Sequence, residues 1–144
     1  MERTHIDGVV TGPPKTVLSL EGAAMLAASV LFYDEHGRSW LLFALLLLVP
    51  DVAIFGYVAG SRLGAMTYNL LHTIIGPAVL LVIGLLTDDT LSSAIAMIWI
   101  AHIGMDRALG YGLKYGDAFG HTHLGAIGRR TRPAEERSAK AGIG

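Results

Sequence analysis

The sequence predicts an all-α integral-membrane protein built as an antiparallel four-helix transmembrane bundle, and three observations predict it. Four stretches, 17–33, 40–59, 64–86 and 91–109, are apolar over the roughly 17 to 25 residues that a helical bilayer crossing needs. The links between them are short and polar (Asp34-Glu35-His36-Gly37-Arg38, Gly60-Ser61-Arg62 and Thr87-Asp88-Asp89-Thr90), which makes consecutive helices antiparallel neighbours. Finally, if the four stretches alternate in direction, ten of the eleven Lys and Arg residues fall on the side that holds both termini, and Arg38 alone falls on the other. That asymmetry places both termini in the cytoplasm by the positive-inside rule.

Composition agrees. The chain is 52% hydrophobic and only 16% charged, where a soluble domain carries about a quarter charged residues. A soluble helical bundle is the alternative, but runs such as 41–49, without one polar residue, argue against it. There is no cysteine, so disulfides and thiolate metal sites are excluded. A net charge of -1 with no basic stripe on a folded segment gives no sign of a nucleic-acid partner, and none is expected.

Along the chain, residues 1–16 read as a polar cytoplasmic segment with Pro13-Pro14 and no cleavable signal pattern. Residues 17–128 form the membrane domain, in which small residues (Gly22, Ala23 and Ala27; Gly64 and Ala65; Ala94 and Ala101) allow close helix approach. Trp40 and Trp99 read as interface or packing aromatics. Residues 129–144, charged and aperiodic, read as a mobile basic tail.

Inside the apolar stretches stand ionisable residues that a bilayer should reject: Glu21, Asp51, His72, His102 and Asp106. Each costs at least about 2.5 kcal/mol at the centre of a membrane, so each needs a partner or a purpose. At about 1.5 Å of rise per residue, all five lie within roughly 5–15 Å of the cytoplasmic face. They form a layer, where an ion path would string them across the whole thickness. His102 and Asp106 share a helix face at four-residue spacing, as do Asn69 and His72 at three. Pro50 removes a backbone hydrogen bond just before Asp51 and can kink the helix towards a site. Carboxylates and imidazoles converging from several helices are the chemistry of a divalent metal site, with Zn, Fe or Mn all compatible.

Each residue also has a plainer reading. Glu21 can favour a helix start and snorkel, His72 can be a neutral core histidine, and His102 with Asp106 can be an internal hydrogen-bonded pair. Arg107 can pair with Asp106 or anchor to lipid phosphate. After the last stretch, Gly110 to Gly125 is Gly/Tyr-rich and ends in His121-Thr122-His123. Too polar to span, it is expected to fold over the polar layer, where His121 or His123 becomes a further ligand or a lid.

These residues resemble a known family. Leu48-Val49-Pro50-Asp51 with Gly56-Tyr57, Tyr68-Asn69-Leu70-Leu71-His72-Thr73, the string from Ala101-His102-Ile103-Gly104-Met105-Asp106-Arg107 to Leu113-Lys114-Tyr115, and Thr122-His123-Leu124-Gly125 are similar to the small bacterial membrane family catalogued as domain of unknown function 4260. Leu20-Glu21-Gly22 fits it too. The resemblance implies a small bacterial integral-membrane protein and brings no activity with it. The Pro-Asp and Thr-His dipeptides are more vaguely similar to membrane-bound metal-dependent hydrolases.

The leading expectation is therefore a membrane-embedded, metal-dependent hydrolase-like enzyme acting on a lipid-like substrate. Asp51, His72, His102 and Asp106 would hold the metal, with Glu21 or His123 as general base or extra ligand. The alternatives are a metal or small-cation binding or transport protein and a structural or accessory subunit.

Overall fold

The computed structural model of the chain describes residues 8–36 and 38–127. The expected basic tail at 129–144 and the first seven residues lie outside them. Helix α1 runs Pro13–Glu35, ahead of the apolar run, because Pro13 and Pro14 occupy the first helical positions, where a missing N–H costs nothing. Tyr33 donates its hydroxyl hydrogen bond to the Ser39 carbonyl (2.8 Å), closing the turn into α2, Trp40–Leu47. The second crossing then changes character. Val49–Ala59 is a 3-10 helix, long for that tight geometry, and begins where Pro50 interrupts the α-helical bonding pattern.

The third crossing is also broken, into α3 (Ser61–His72) and α4 (Ile75–Leu86). The break follows from Pro77. It donates no N–H, and its ring crowds the carbonyl four residues back, at Thr73, which adopts extended geometry (φ -83°, ψ 145°). Helix α5, Thr90–Leu109, is unbroken. Asp89 caps its start by accepting from the Leu91 and Ser92 N–H groups (2.9 and 3.3 Å). Gly110 ends it in the left-handed region (φ 86°), where a residue with Cβ is strained.

Three rods, Pro13–Glu35, Trp40–Ala59 and Ser61–Leu86, are long and apolar enough to cross a membrane, which suggests a membrane protein. Their outward leucines and valines are exposed, Leu70 at 70% and Val58 at 89%. Helix α5 is less apolar and does not face outward: half its residues are buried, so its neighbours are protein. It packs antiparallel against α1 through reciprocal glycines. A Cβ on Gly104 would lie 2.7 Å from the Gly22 carbonyl oxygen, and one on Gly22 would lie 2.8 Å from that of Gly104. It packs against α4 where Trp99 covers Gly76 and Ser93 meets Gly84. The 3-10 segment packs on α3, with the Tyr57 ring over Gly64 and Thr67 against Gly56. The architecture is the expected antiparallel bundle of four rods, two of them discontinuous.

A small element stands outside the all-α expectation. After α5 the chain forms a two-stranded antiparallel hairpin, β1 (His121–Thr122) with β2 (Gly125–Ala126), and Lys114 bridges to Thr122. The Val10 N–H donates to the His123 carbonyl (2.8 Å) and the Tyr115 hydroxyl to the Gly8 carbonyl (2.7 Å), so the segment before α1 straps this cap.

Candidate metal centre

Four of the predicted residues converge. One ligand atom from each of Asp51, His72, His102 and Asp106 lies within 4.8 Å of the other three. The 3-10 helix contributes Asp51 from its first turn, α3 contributes His72 as its last residue, and α5 contributes His102 and Asp106 from one face. The His72 Nε2 stands 3.7 Å from Asp51 Oδ1 and 3.4 Å from Asp106 Oδ2. The His102 Nε2 stands 3.6 and 3.7 Å from the same two oxygens. The two Nε2 atoms are 3.0 Å apart. A tetrahedral cation with bonds of about 2.0–2.2 Å spaces its ligands roughly 3.3–3.6 Å apart, so one such ion fits the group with small adjustments.

The surroundings orient these ligands. The Tyr68 carbonyl lies 2.8 Å from His72 Nδ1, and a carbonyl only accepts. Nδ1 therefore carries the proton, and Nε2 turns a lone pair to the group, as a metal ligand must. Tyr68 also donates its hydroxyl to Asp106 Oδ2 (3.0 Å), and its ring stacks on His72 with centroids 3.6 Å apart. The two facing imidazole nitrogens at 3.0 Å either share a hydrogen bond, His102 Nε2–H donating to the His72 Nε2 lone pair, or flank a cation. His102 is fully buried and its Nδ1 has no partner among the described residues. Asp51 is the open side of the group, with 43% of its side chain exposed, against 12% for Asp106.

The other two predicted residues lie elsewhere. Glu21 is exposed on α1 and is not among the converging four. Glu21 stays level with the group, since the adjacent Gly22 meets Gly104 between His102 and Asp106, but depth does not fix which side of a helix a residue occupies. His123 sits in the cap, where its Nδ1 accepts a hydrogen bond from the Leu113 N–H (2.8 Å) and has no lone pair left for a metal. Burial, reinforced by the Arg107 charge, holds His123 below the usual imidazole range. His121 pairs with Asp117 at 2.7 Å, outside the group.

The loop does fold against the site-bearing helix, through a contact that spacing had not predicted. Asn69 donates from Nδ2 to the Lys114 carbonyl (2.8 Å) and accepts at Oδ1 from the Lys114 N–H (2.7 Å). Lys114 is 5% exposed, and its ammonium donates to the Phe119 carbonyl (3.0 Å). It lies 3.4 Å from the Phe119 ring centroid and 4.5 Å from that of Tyr68. Burial pulls its pKa below the usual lysine range, while Asp106 and Asp51 pull it back up. Tyr68 and Lys114 were missed as site residues. Their signal was positional: Tyr68 is four residues before His72, and Lys114 lies in the polar segment that follows Asp106.

Beside the group is a recess lined by Tyr68, His72, Ile103, Asp106, Arg107 and the loop from Tyr111 to Leu113. On the opposite side an apolar groove of about 210 Å³ is lined by Leu46, Val49, Pro50, Leu71, Ile95 and Trp99. The Trp99 indole donates to the Leu71 carbonyl (2.5 Å), which the break after α3 deprives of its helical partner. Farther along the bundle, Tyr33, Phe43, Ala94, Ile98 and Ala101 pack with Leu26, Val30, Leu46 and Leu47 into an apolar core.

Compared with known proteins, residues 15–127 match the family described as domain of unknown function (DUF4260). No curated protein and no solved structure matches the chain.

Proposed function

We propose, for a chain that belongs to the DUF4260 family, that Asp51, His72, His102 and Asp106 hold one divalent cation and that the protein is a membrane-embedded, metal-dependent hydrolase-like enzyme. The observation that carries the reading is the convergence of four ligand atoms from three helices within 4.8 Å. Two carboxylates and two imidazoles suit Zn, Fe or Mn. A bound ion of this kind supplies Lewis acidity and lowers the pKa of water. The chain's own residues do the rest. Tyr68 fixes the His72 tautomer and holds Asp106, and the half-exposed Asp51 leaves one side of the site approachable, as catalytic sites require.

Transport of the cation is the weaker reading, because the apolar core around Tyr33, Phe43 and Ile98 occupies the bundle beyond the site. An apolar groove lined by Leu46, Pro50, Leu71 and the exposed Val49 supports a lipid-like substrate. The basic residues favour a cytoplasmic position for both termini and for the site, in a bacterial inner membrane.

Metal analysis of the detergent-purified protein tests this. Wild type should carry about one divalent ion per chain, and the Asp51→Ala/His102→Ala double variant less than about a tenth of that. Equal and negligible metal in both would end the metal reading. Metal bound without any hydrolysis of acyl or phosphoryl esters in micelles would leave a binding protein.

A further inference from the structure

Tyr68 touches the quartet at three points. Its carbonyl lies 2.8 Å from His72 Nδ1, its ring stacks on the His72 imidazole with centroids 3.6 Å apart, and its hydroxyl donates to Asp106 Oδ2 (3.0 Å). The first contact is backbone and belongs to the helix. The other two depend on where the side chain stands, so whatever holds that ring also holds one imidazole and one carboxylate. His72 covers one face of the ring at stacking distance, which leaves the opposite side to the Lys114 ammonium, 4.5 Å from the centroid. Tyr68 is thus clasped between a metal-ligand candidate and a cation from the cap.

The placement of that cation is over-determined. Both backbone groups of Lys114 bond to the Asn69 side chain, the N–H to Oδ1 (2.7 Å) and the carbonyl to Nδ2 (2.8 Å), and Asn69 directly follows Tyr68 on α3. The ammonium donates to the Phe119 carbonyl (3.0 Å) and lies 3.4 Å from the Phe119 ring centroid. Phe119 packs edge-on against Tyr57 (5.1 Å), whose ring covers Gly64, one turn before Tyr68. Burying an ammonium is costly, and a methionine would fill the same space without that cost. The charge is therefore expected to contribute something that apolar packing does not. A desolvated cation is attracted to the face of an aromatic ring and draws electron density from it. In a phenol this makes the hydroxyl a stronger donor, here towards Asp106. A purely electrostatic role has the opposite sign, because a cation near the quartet repels a divalent ion and its removal would tighten metal binding.

We propose that Lys114 is a positioning residue of the metal centre. Its ammonium, held over the Tyr68 ring by the Asn69 clamp and the Phe119 carbonyl, keeps the Tyr68 hydroxyl on Asp106, so that docking of the cap and binding of the metal are coupled. The proposal rests on the metal reading and adds the cap to it.

The test measures Zn²⁺ affinity of the full chain in a neutral detergent by competition with a chelator. The backbone clamp does not need the Lys114 side chain, so Lys114→Met should leave the cap docked. It should weaken Zn²⁺ about threefold to tenfold, the upper bound being the loss expected for the Tyr68 hydroxyl itself. Lys114→Arg keeps a cation for the ring and should stay within about twofold of wild type. On a Tyr68→Phe background, Lys114→Met should cost less than about twofold more, because the hydroxyl through which it acts is already gone. Coupling is reciprocal, so Zn²⁺ should slow hydrogen exchange of the Lys114 amide in wild type at least about threefold. That measurement needs no variant and decides the matter if Lys114→Met does not fold. Unchanged or tighter Zn²⁺ binding by Lys114→Met, failure of Lys114→Arg to restore it, losses that add on the Tyr68→Phe background, or a Lys114 amide indifferent to Zn²⁺ each overturn the proposal. A wild type that takes up no divalent metal refutes the quartet reading instead, so the two failures are distinguishable.

Discussion

Helices α1 and α5 cross the bundle without interruption, whereas the other two crossings are each broken, at Leu48 and at Thr73. The unbroken pair is held by backbone contact through Gly22 and Gly104, where there is no room for a side chain. The broken pair is held by side chains reaching backbone, as Thr67 reaches the Ala53 carbonyl (3.1 Å) and Trp99 that of Leu71. Each break lies within three residues of a metal-ligand candidate, Asp51 or His72. Irregular backbone at membrane depth is tolerated only where protein or a polar cavity satisfies its groups. The unbroken pair therefore serves as frame, and the broken pair bends to bring ligands to α5.

The sharpest way to break that division is to attack the frame. A leucine at Gly104 would drive its Cβ against the Gly22 carbonyl and the Leu26 N–H, both backbone and unable to yield. Gly104→Leu should cost about 2 kcal/mol or more, read as a lower thermal midpoint in detergent. If the frame is separate from the site, the fraction that stays folded still binds metal. A folded variant of normal stability would show that α1 and α5 are not held by this contact.

A smaller effect is expected where the broken pair meets α5. Tyr68→Phe removes the hydroxyl from Asp106 Oδ2 but keeps the ring on His72 and the carbonyl on His72 Nδ1. Metal affinity should fall about tenfold, as for lost outer-shell partners generally, with no change in thermal midpoint of the metal-free protein. Competition with a chelator of known affinity measures it. Unchanged affinity would mean that Asp106 needs no support.

The frame was legible in the sequence because hydrophobic length and short polar links predict antiparallel rods, although three of the four, Pro13–Glu35, Trp40–Ala59 and Ser61–Leu86, are long and apolar enough to cross a membrane and the expected fourth crossing, α5, is instead buried among them. The quartet was legible for a similar reason: Asp51, His72, His102 and Asp106 are costly in lipid wherever they point. Glu21 was equally conspicuous yet faces outward on α1, since position along a span carries no azimuth. Pro50 signalled one break. The other was hidden, because Pro77 acts four residues upstream and its consequence falls at Thr73. The cap was half legible: glycines and tyrosines marked a loop, but the Asn69–Lys114 clamp joins residues 45 apart, which local spacing does not register.

The smallest effect probes what maintains the second break. Pro77→Ala supplies the missing N–H and removes the ring from the Thr73 carbonyl, so a continuous helix from α3 into α4 becomes available. That helix would carry His72 without its terminal position and would compete with the Trp99 indole for the Leu71 carbonyl. With Trp99 in place, the break should persist and metal affinity should change by less than about threefold, within about 1 kcal/mol. Adding Trp99→Phe removes the competing donor. The double variant should then gain amide protection at Ile75 in hydrogen exchange and lose more affinity than the two single changes combined. Additive losses would mean that proline and indole act independently, and that the break is set by the packing of α4 on α5 instead.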